Sequence, residues 1–268
     1  MRERILLPGL SPPAWRDPSS RRMHPSASLG VTVGIAAHAF LVVGLLLLGV
    51  HHAAPKRFVR VAALSVAWLA LTAVVAGSGV LARVEARPPP FLFIGLGTLT
   101  VGIAVGASSL GASLARSIPL WALVGAQAFR VPLELVMHRA ANEGTMPVEM
   151  SYSGFNFDIF SGLSAIVVAI ALRRGAPPLL AALWSVVGSL LLAIIVTISI
   201  LASPMIHAFG AGAHVNAWVT YPPFVWLPMV LVAAALAGHI IVFRHLALSR
   251  TDRARVAKVA GSVDDRPQ

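Results

Sequence analysis

The chain has 268 residues, of which 57% are hydrophobic and only 12% are charged. Its mean hydropathy is +0.81. A water-soluble domain carries about 25% charged residues, so this composition excludes an ordinary soluble globular protein. The chain has no cysteine, which excludes disulfides, thiolate metal sites and cysteine nucleophiles.

The net charge of +11 does not point to nucleic acid as a partner, because the basic residues are not gathered on one amphipathic element. They fall at the chain ends and in short segments between apolar runs, which is typical of loops that face anionic lipid and cytoplasm. The main clusters are Arg2, Arg4, Arg16, Arg21 and Arg22; Lys56, Arg57 and Arg60; Arg173 and Arg174; and the group from Arg244 to Lys258.

Hydropathy divides the chain into three parts. Residues 1–27 are rich in Arg, Pro and Ser and are predicted to be a disordered basic segment. Met23 is an alternative start that would remove five arginines. Residues 28–247 form the predicted transmembrane domain, and residues 248–268 form a charged tail that is loose or a short surface helix.

Seven apolar segments approach the roughly 20 residues that cross the hydrocarbon of a bilayer. They are continuous rather than alternating, which favours helices over barrel strands. The sequence therefore predicts an all-α, polytopic transmembrane helix bundle of about seven spans. The predicted spans are 29–50, 59–81, 91–110, 118–138, 157–172, 179–202 and 223–243, and the fifth is short enough for its start to lie below the membrane surface.

The short basic loops favour an outside N-terminus and an inside C-terminus. The predicted location is the cell membrane, in particular a bacterial inner membrane. Two GxxxG pairs, Gly30 with Gly34 and Gly102 with Gly106, predict close helix packing within the chain rather than dimerisation. The oligomeric state stays open.

The polar centre of the predicted domain begins in the fourth span. Gln127, Arg130, Glu134 and His138 are spaced three, four and four residues apart, which places them on one helix face. Charge in hydrocarbon is costly, so this face is predicted to point into the bundle. Pro132 lies in the same segment and predicts a kink.

The stretch that follows supplies candidate partners for this face. Asn156 and Asp158 precede the fifth span, where Asn156 is a candidate N-cap. Two ion pairs are possible for Arg130, one with Glu134 at i,i+4 and one with Asp158 on the next span. Gln127, Arg130, Glu134, His138, Asn156 and Asp158 are therefore the candidate ligand-binding residues.

Metal binding is a weaker alternative. Glu134, His138, His207 and His214 are candidate ligands if they converge with Asp158 at one membrane depth. The chain has no HExxH, Walker or dinucleotide motif, so no cofactor is specified. His38 and His239 stand alone in apolar segments and are predicted to be hydrogen-bonded packing residues.

The polar stretch also resembles a signature of uncharacterised bacterial multi-pass membrane proteins. The matching residues are Phe129, Arg130, Glu134, Gly144, Pro147, Met150, Gly154, Asn156, Phe157, Asp158, Ile159, Gly162, Leu163 and Ala165. The resemblance covers about a seventh of the chain. It implies a membrane architecture and a central place for this segment, and it implies no activity.

Three functions remain open from the sequence. The first is a membrane protein whose polar site binds or conducts a small ligand, ion or proton, with Glu134 and Asp158 accepting protons or cations. The second is an intramembrane enzyme for a lipid-like substrate, with Glu134 as base and histidines as metal ligands or acid–base groups. The third is a structural subunit in which the ion pairs only hold helices together.

Overall fold

The computed structural model describes residues 27–83 and 85–264, with side chains described through Thr251. This part of the chain is helical and contains no strand. The predicted disorder of residues 1–27 falls almost wholly outside the described residues. The charged tail predicted from residue 248 is not separated by a helix break, because the last helix continues to Asp264.

Nine α-helices build the described part of the domain. Short 3₁₀ turns connect several of them, and a π-helical stretch at Leu227–Val232 leads into the last helix. The helices are α1 Leu29–Ala53, α2 Phe58–Gly77, α3 Phe91–Ala107, α4 Ser109–Ser117, α5 Leu120–Gly125, α6 Arg130–Asn142, α7 Asp158–Arg173, α8 Leu179–Leu201 and α9 Ala233–Asp264.

Five helical segments in the described residues are long and apolar enough to cross a membrane, and a sixth is added if α3 and α4 count as one bent span. This confirms the predicted all-α architecture, and the count agrees roughly with the predicted seven. The remaining predicted span corresponds to α7, which has only 16 residues.

The last helix is the centre of the bundle. α9 contacts α3, α4, α5 and α8, whereas α1 and α2 lie at the periphery with many apolar side chains exposed. Half of the residues in the most apolar 18-residue stretch of the final span are buried inside the bundle. In the segment that contains α2, the corresponding share is 11%. The outer helices therefore present apolar side chains to the lipid, as a bundle in a bilayer requires.

Both predicted glycine pairs pack inside the chain. A Cβ at Gly34 would lie 2.9 Å from the Val136 side chain of α6, and one at Gly106 would lie 2.8 Å from Ile240 of α9. These approaches are too close for any residue larger than glycine without movement of the partner helix. The two motifs thus fix α1 against α6 and α3 against α9.

Arg244 of α9 stabilises the bend between α3 and α4. The two helices differ in direction by 55°, with Ser108 in an extended conformation between them. One guanidinium nitrogen, Nη1, donates to the carbonyl oxygens of Gly106 and Ser108, each at 2.7 Å. The Ser108 carbonyl also accepts from the Ala112 backbone N–H at 3.0 Å, so Arg244 adds a second donor at the bend.

Pro132 accompanies an interruption in the fourth span. The segment from Leu120 to Asn142 is not one uniform helix, because a 3₁₀ turn at Ala126–Phe129 separates α5 from α6. Proline has no N–H to donate to the carbonyl of Ala128, four residues earlier, and its ring crowds that group. A tighter turn immediately before the proline is the local response.

Residues 143–157, between α6 and α7, form a re-entrant segment that folds back into the bundle. Arg130 lies near the middle of the fourth span, yet its guanidinium bonds Asp158 at the first residue of α7. Asn156, just before α7, bonds Glu134, which is about 12 Å along the helix from the end of α6. The chain therefore re-enters the bundle before α7 begins, as the short fifth span predicted.

The N-terminal end of α1 is attached to the end of α6 by Glu143. Its two carboxylate oxygens accept from the Ser28 backbone N–H and from Arg139 Nε, both at 2.9 Å. Hydrogen bonds from Ser28, followed by the bond and charge of Arg139, lower the pKa of Glu143 from 4.5 to about 2.

We expect the stability difference between the wild-type protein and Glu143→Gln to depend on pH. A carboxyl group with a lowered pKa in the folded state stabilises the fold above its unfolded pKa. The difference should be constant above about pH 5, shrink as the pH falls from 4.5, and vanish near pH 2. Unfolding followed by tryptophan fluorescence across this range measures it, and a pH-independent difference would contradict the assigned bonds.

Candidate functional site

Arg130 is the hub of a buried polar network. Its side chain is almost fully buried, and Nη1 donates to Asp158 Oδ1 and to Ser161 Oγ, each at 2.8 Å. Nη2 lies 3.1 Å from His239 Nε2 on α9. One guanidinium thus joins α6 to the start of α7 and to α9, and its partner is Asp158 rather than Glu134.

The arginine also fixes the tautomer of His239. A guanidinium has donors only, so His239 Nε2 must accept and its proton must lie on Nδ1. Nδ1 is 2.9 Å from Ser185 Oγ on α8, and this hydroxyl accepts the bond. The chain of contacts from Asp158 through Arg130 and His239 to Ser185 therefore crosses four helices.

Glu134 lies one turn from Arg130 but has a different partner. Both of its carboxylate oxygens accept from Asn156 Nδ2, at 3.0 and 2.9 Å. The same amide nitrogen donates to the Met150 carbonyl oxygen at 3.0 Å, and Asn156 Oδ1 accepts from the Asp158 backbone N–H. Asn156 therefore attaches Glu134 to the re-entrant segment and pairs the first N–H of α7, although the N-cap position itself is Phe157 and not Asn156 as predicted.

The buried centre contains more negative than positive groups. It holds one guanidinium and the carboxyl groups of Glu134 and Asp158. Among the described residues, the salt bridges join Arg130 to Asp158, Arg139 to Glu143, and His214 to Glu149. Glu134 has no cationic side chain within 4.0 Å in this part of the chain. A buried carboxylate without such a partner is costly to keep charged.

All three of these groups line a cavity of about 310 Å³. The remaining wall is mainly apolar and comes from α3, α8 and the π-helical stretch, together with Met150 of the re-entrant segment. Leu96 of α3 and Ile200 of α8 line the cavity and are also exposed, so it reaches the outer surface between these two helices.

Gln127 lies apart from this cavity although the sequence placed it on the same helix face. It is buried against Gly238 of α9 and lines a second, larger cavity. A 3₁₀ turn such as Ala126–Phe129 keeps residues i and i+3 on one face, so the separation lies along the axis: Gln127 is one turn before Arg130 and meets a different part of α9. Its Oε1 has no donor among the described residues.

The predicted convergence of histidines on the carboxylates is wrong. His138 lies outside the buried centre, where it bonds Asn142 and Ser153 and stacks on Tyr152 at 4.3 Å. His214 pairs with Glu149 at 2.7 Å, and His207 is exposed. The described residues contain no group of three or more potential ligands that could hold a metal.

Residues that the sequence did not indicate complete the site. Ser161 lies one turn into α7, while Ser185 and His239 stand in apolar helices far along the chain. His239 was predicted to be a hydrogen-bonded packing residue, and its hydrogen bonds are confirmed. Only its contact with Arg130 assigns it to the polar centre, and no spacing rule connects residues 109 positions apart.

No protein-family model matches the chain, and no curated protein or solved structure is significantly similar to it. The architecture is that of a multi-pass membrane protein, because five to six helices in the described residues are able to span a bilayer. What the site does must therefore be inferred from its geometry.

Proposed function

We propose that this protein binds a small amphiphilic cation in the cavity beside Glu134. The observation that carries the proposal is the carboxyl group of Glu134, which lines a mainly apolar cavity and has no cationic partner among the described residues. A protonated amine on an apolar body satisfies both features, because its charge faces the carboxylate and its body contacts the apolar wall.

The position of the opening supports entry from the bilayer. The cavity reaches the surface between α3 and α8, where the exposed side chains are apolar. A hydrophobic amine partitions into the membrane and approaches this opening laterally. In this proposal the protein resides in the cell membrane, in particular a bacterial inner membrane, as its basic loops favour.

The enzyme hypothesis has less support. His239 has both ring nitrogens engaged, one by Arg130 and one by Ser185, so neither is free to act as a base. The other candidate histidines, His138, His207 and His214, lie outside the cavity. Arg130 and Asp158 neutralise each other and position the re-entrant segment, which leaves Glu134 as the group that contacts the ligand.

The test compares three amphiphiles with the same chain length. Full-length protein in nanodiscs of zwitterionic lipid is titrated with octylammonium, 1-octanol or octanoate, and its thermal unfolding is followed. We expect octylammonium to raise the unfolding temperature more than octanol, and octanoate to have the smallest effect. Equal effects of octylammonium and octanoate would overturn the proposal.

Glu134→Gln should weaken octylammonium binding about tenfold or more, since a hydrogen bond to a charged group contributes about 1.5–3 kcal/mol. Glutamine retains an acceptor for Asn156, so the re-entrant segment keeps its attachment. The matched control is Glu149→Gln, because Glu149 is a buried carboxyl group that does not line the cavity. Loss of binding in both variants, or in neither, would contradict the role of Glu134.

A further inference from the structure

A second cavity, of about 1230 Å³, lies nearer the other end of the bundle. α1 and α2 form one wall, α5 and α7 form another, and α9 contributes to the base. Most of the lining is aliphatic, with Leu64 of α2 and Ile170 of α7 as exposed examples. Its volume exceeds the roughly 300–1,000 Å³ of ordinary small-molecule pockets, so the cleft suits a large apolar body.

The polar residues of this cleft are unevenly distributed. His51 and His52, in the last turn of α1, and Arg173, at the end of α7, are exposed residues at its mouth. No aspartate or glutamate lines the cleft within the described chain. The mouth therefore carries positive charge that no acidic residue of the lining neutralises.

Arg173 is positioned by an aromatic residue. Its guanidinium carbon lies 5.2 Å from the ring centroid of Trp121 at the start of α5, and both residues line the cleft. An arginine stacked on tryptophan keeps its donors free for an anionic group. Tryptophan and arginine are also the residues that occupy the boundary between hydrocarbon and headgroups.

Further basic side chains lie at the same end of the bundle. Arg57 bonds Ser109 at this end of the bundle, and Arg244 and His245 bond the carbonyl groups of α3 and α4 nearby. The orientation predicted from the basic loops places this end at the cytoplasmic face, where the leaflet is anionic. Gln127 also lines the cleft and offers one buried acceptor, Oε1.

We propose that the cleft binds an anionic phospholipid, with its acyl chains against α2 and α7 and its phosphate beside Arg173. The assignment is based on two features of the cleft together: its apolar interior suits acyl chains, and its basic mouth suits a phosphate. The site is separate from the Glu134 cavity in its position, its charge and the sign of charge of its ligand. A free phosphate ion or a non-specific lipid at the protein surface would be the competing results.

The test uses native mass spectrometry of the full-length protein purified in neutral detergent. Dioleoylphosphatidylglycerol and dioleoylphosphatidylcholine are added separately, and we expect the anionic lipid to be retained with higher affinity. Arg173→Gln should lower that affinity about fivefold, as expected for one basic residue near a membrane surface. Ala126→Trp, which adds a large side chain inside the cleft, should remove most of the binding even though Arg173 is present.

Arg174→Gln is the matched control, because Arg174 is the adjacent exposed arginine and does not line the cleft. Equal losses in Arg173→Gln and Arg174→Gln would show general attraction to basic loops and overturn the proposal. Displacement of the lipid by inorganic phosphate alone would assign the site to a free anion instead. Octylammonium binding is measured on the same variants, so failure of this proposal is distinguishable from failure of the Glu134 proposal.

Discussion

Replacing Arg130 with methionine should lower the free energy of unfolding by about 3 kcal/mol or more. Removing one partner of a buried ion pair leaves the other charge uncompensated. The free energy of unfolding then typically falls by about 3–5 kcal/mol. Here the substitution leaves Asp158 unpaired at 7% exposure and removes donors to Ser161 and His239. The amount of folded protein in membranes and its unfolding in mixed micelles both measure this loss.

Arg139→Met is the matched control for this experiment. Arg139 lies on the same helix and bonds a carboxylate at 2.9 Å, but its side chain is 62% exposed. An exposed pair of this kind contributes at most about 1 kcal/mol. The double variant Arg130→Met with Asp158→Asn should recover much of the loss, because it no longer leaves Asp158 as a buried charge without its partner. Similar stabilities of the two arginine variants would contradict the buried network.

Gly154→Ala should lower the free energy of unfolding by about 2 kcal/mol, within the range seen for overpacked sites. A Cβ at this position would lie 2.4 Å from the Val148 carbonyl oxygen and 2.6 Å from the Glu149 Cα. Both are backbone atoms of the re-entrant segment, which cannot move aside as a flexible side chain would. The disturbance should extend to Asn156 and displace its amide from Glu134.

We therefore expect Gly154→Ala to weaken octylammonium binding as well as stability. Gly44→Ala is the control, since nothing lies within 4 Å of a Cβ at that position in α1. Alanine is a better helix former than glycine, so this variant should be neutral or slightly more stable. A Gly154→Ala protein with wild-type stability and binding would mean that the segment does not pack as the structure shows.

The measurements of octylammonium binding also distinguish a ligand-binding role of the polar site from a purely structural one. A structural subunit predicts that Arg130 variants fail to accumulate, and our expectation for Arg130→Met is the same. The Glu134→Gln variant distinguishes the ligand-binding role from the structural role, because it keeps the bond to Asn156 while it removes the charge that faces the cavity. Unaltered octylammonium binding by a stable Glu134→Gln protein would favour the structural role.

Local patterns predicted much of the candidate site. The spacing of Arg130 and Glu134 required a polar helix face, and the cost of charge in hydrocarbon turned that face inward. Asp158 was predicted as a candidate partner of Arg130, and their salt bridge agrees, whereas the bonds of Asn156 to Glu134 were not predicted. The position of Gln127 was missed because a helical wheel shows which residues share a face but not what each of them meets along the axis, and Gln127 packs against Gly238 of α9.

The histidines show why residue type alone was insufficient. His138 continues the helical spacing of Arg130 and Glu134 but is only partly buried, and it bonds Asn142 and Ser153 instead of the buried carboxyl groups. His239 belongs to the network although it stands alone in an apolar helix. Helix spacing describes which residues share a face, and it carries no information about which distant helix packs against that face.

Composition and hydropathy by themselves determined that this chain is a multi-pass helical protein, because backbone groups in hydrocarbon must pair within each helix. The clustering of acidic residues likewise located the polar centre on the fourth span and the segment after it. Only the tertiary structure decided that Asp158 is the partner of Arg130, that His239 and Ser185 join them, and that Glu134 borders a cavity. These contacts arise where α6, α7, α8 and α9 pack together, and such packing depends on the shapes of all four helices at once.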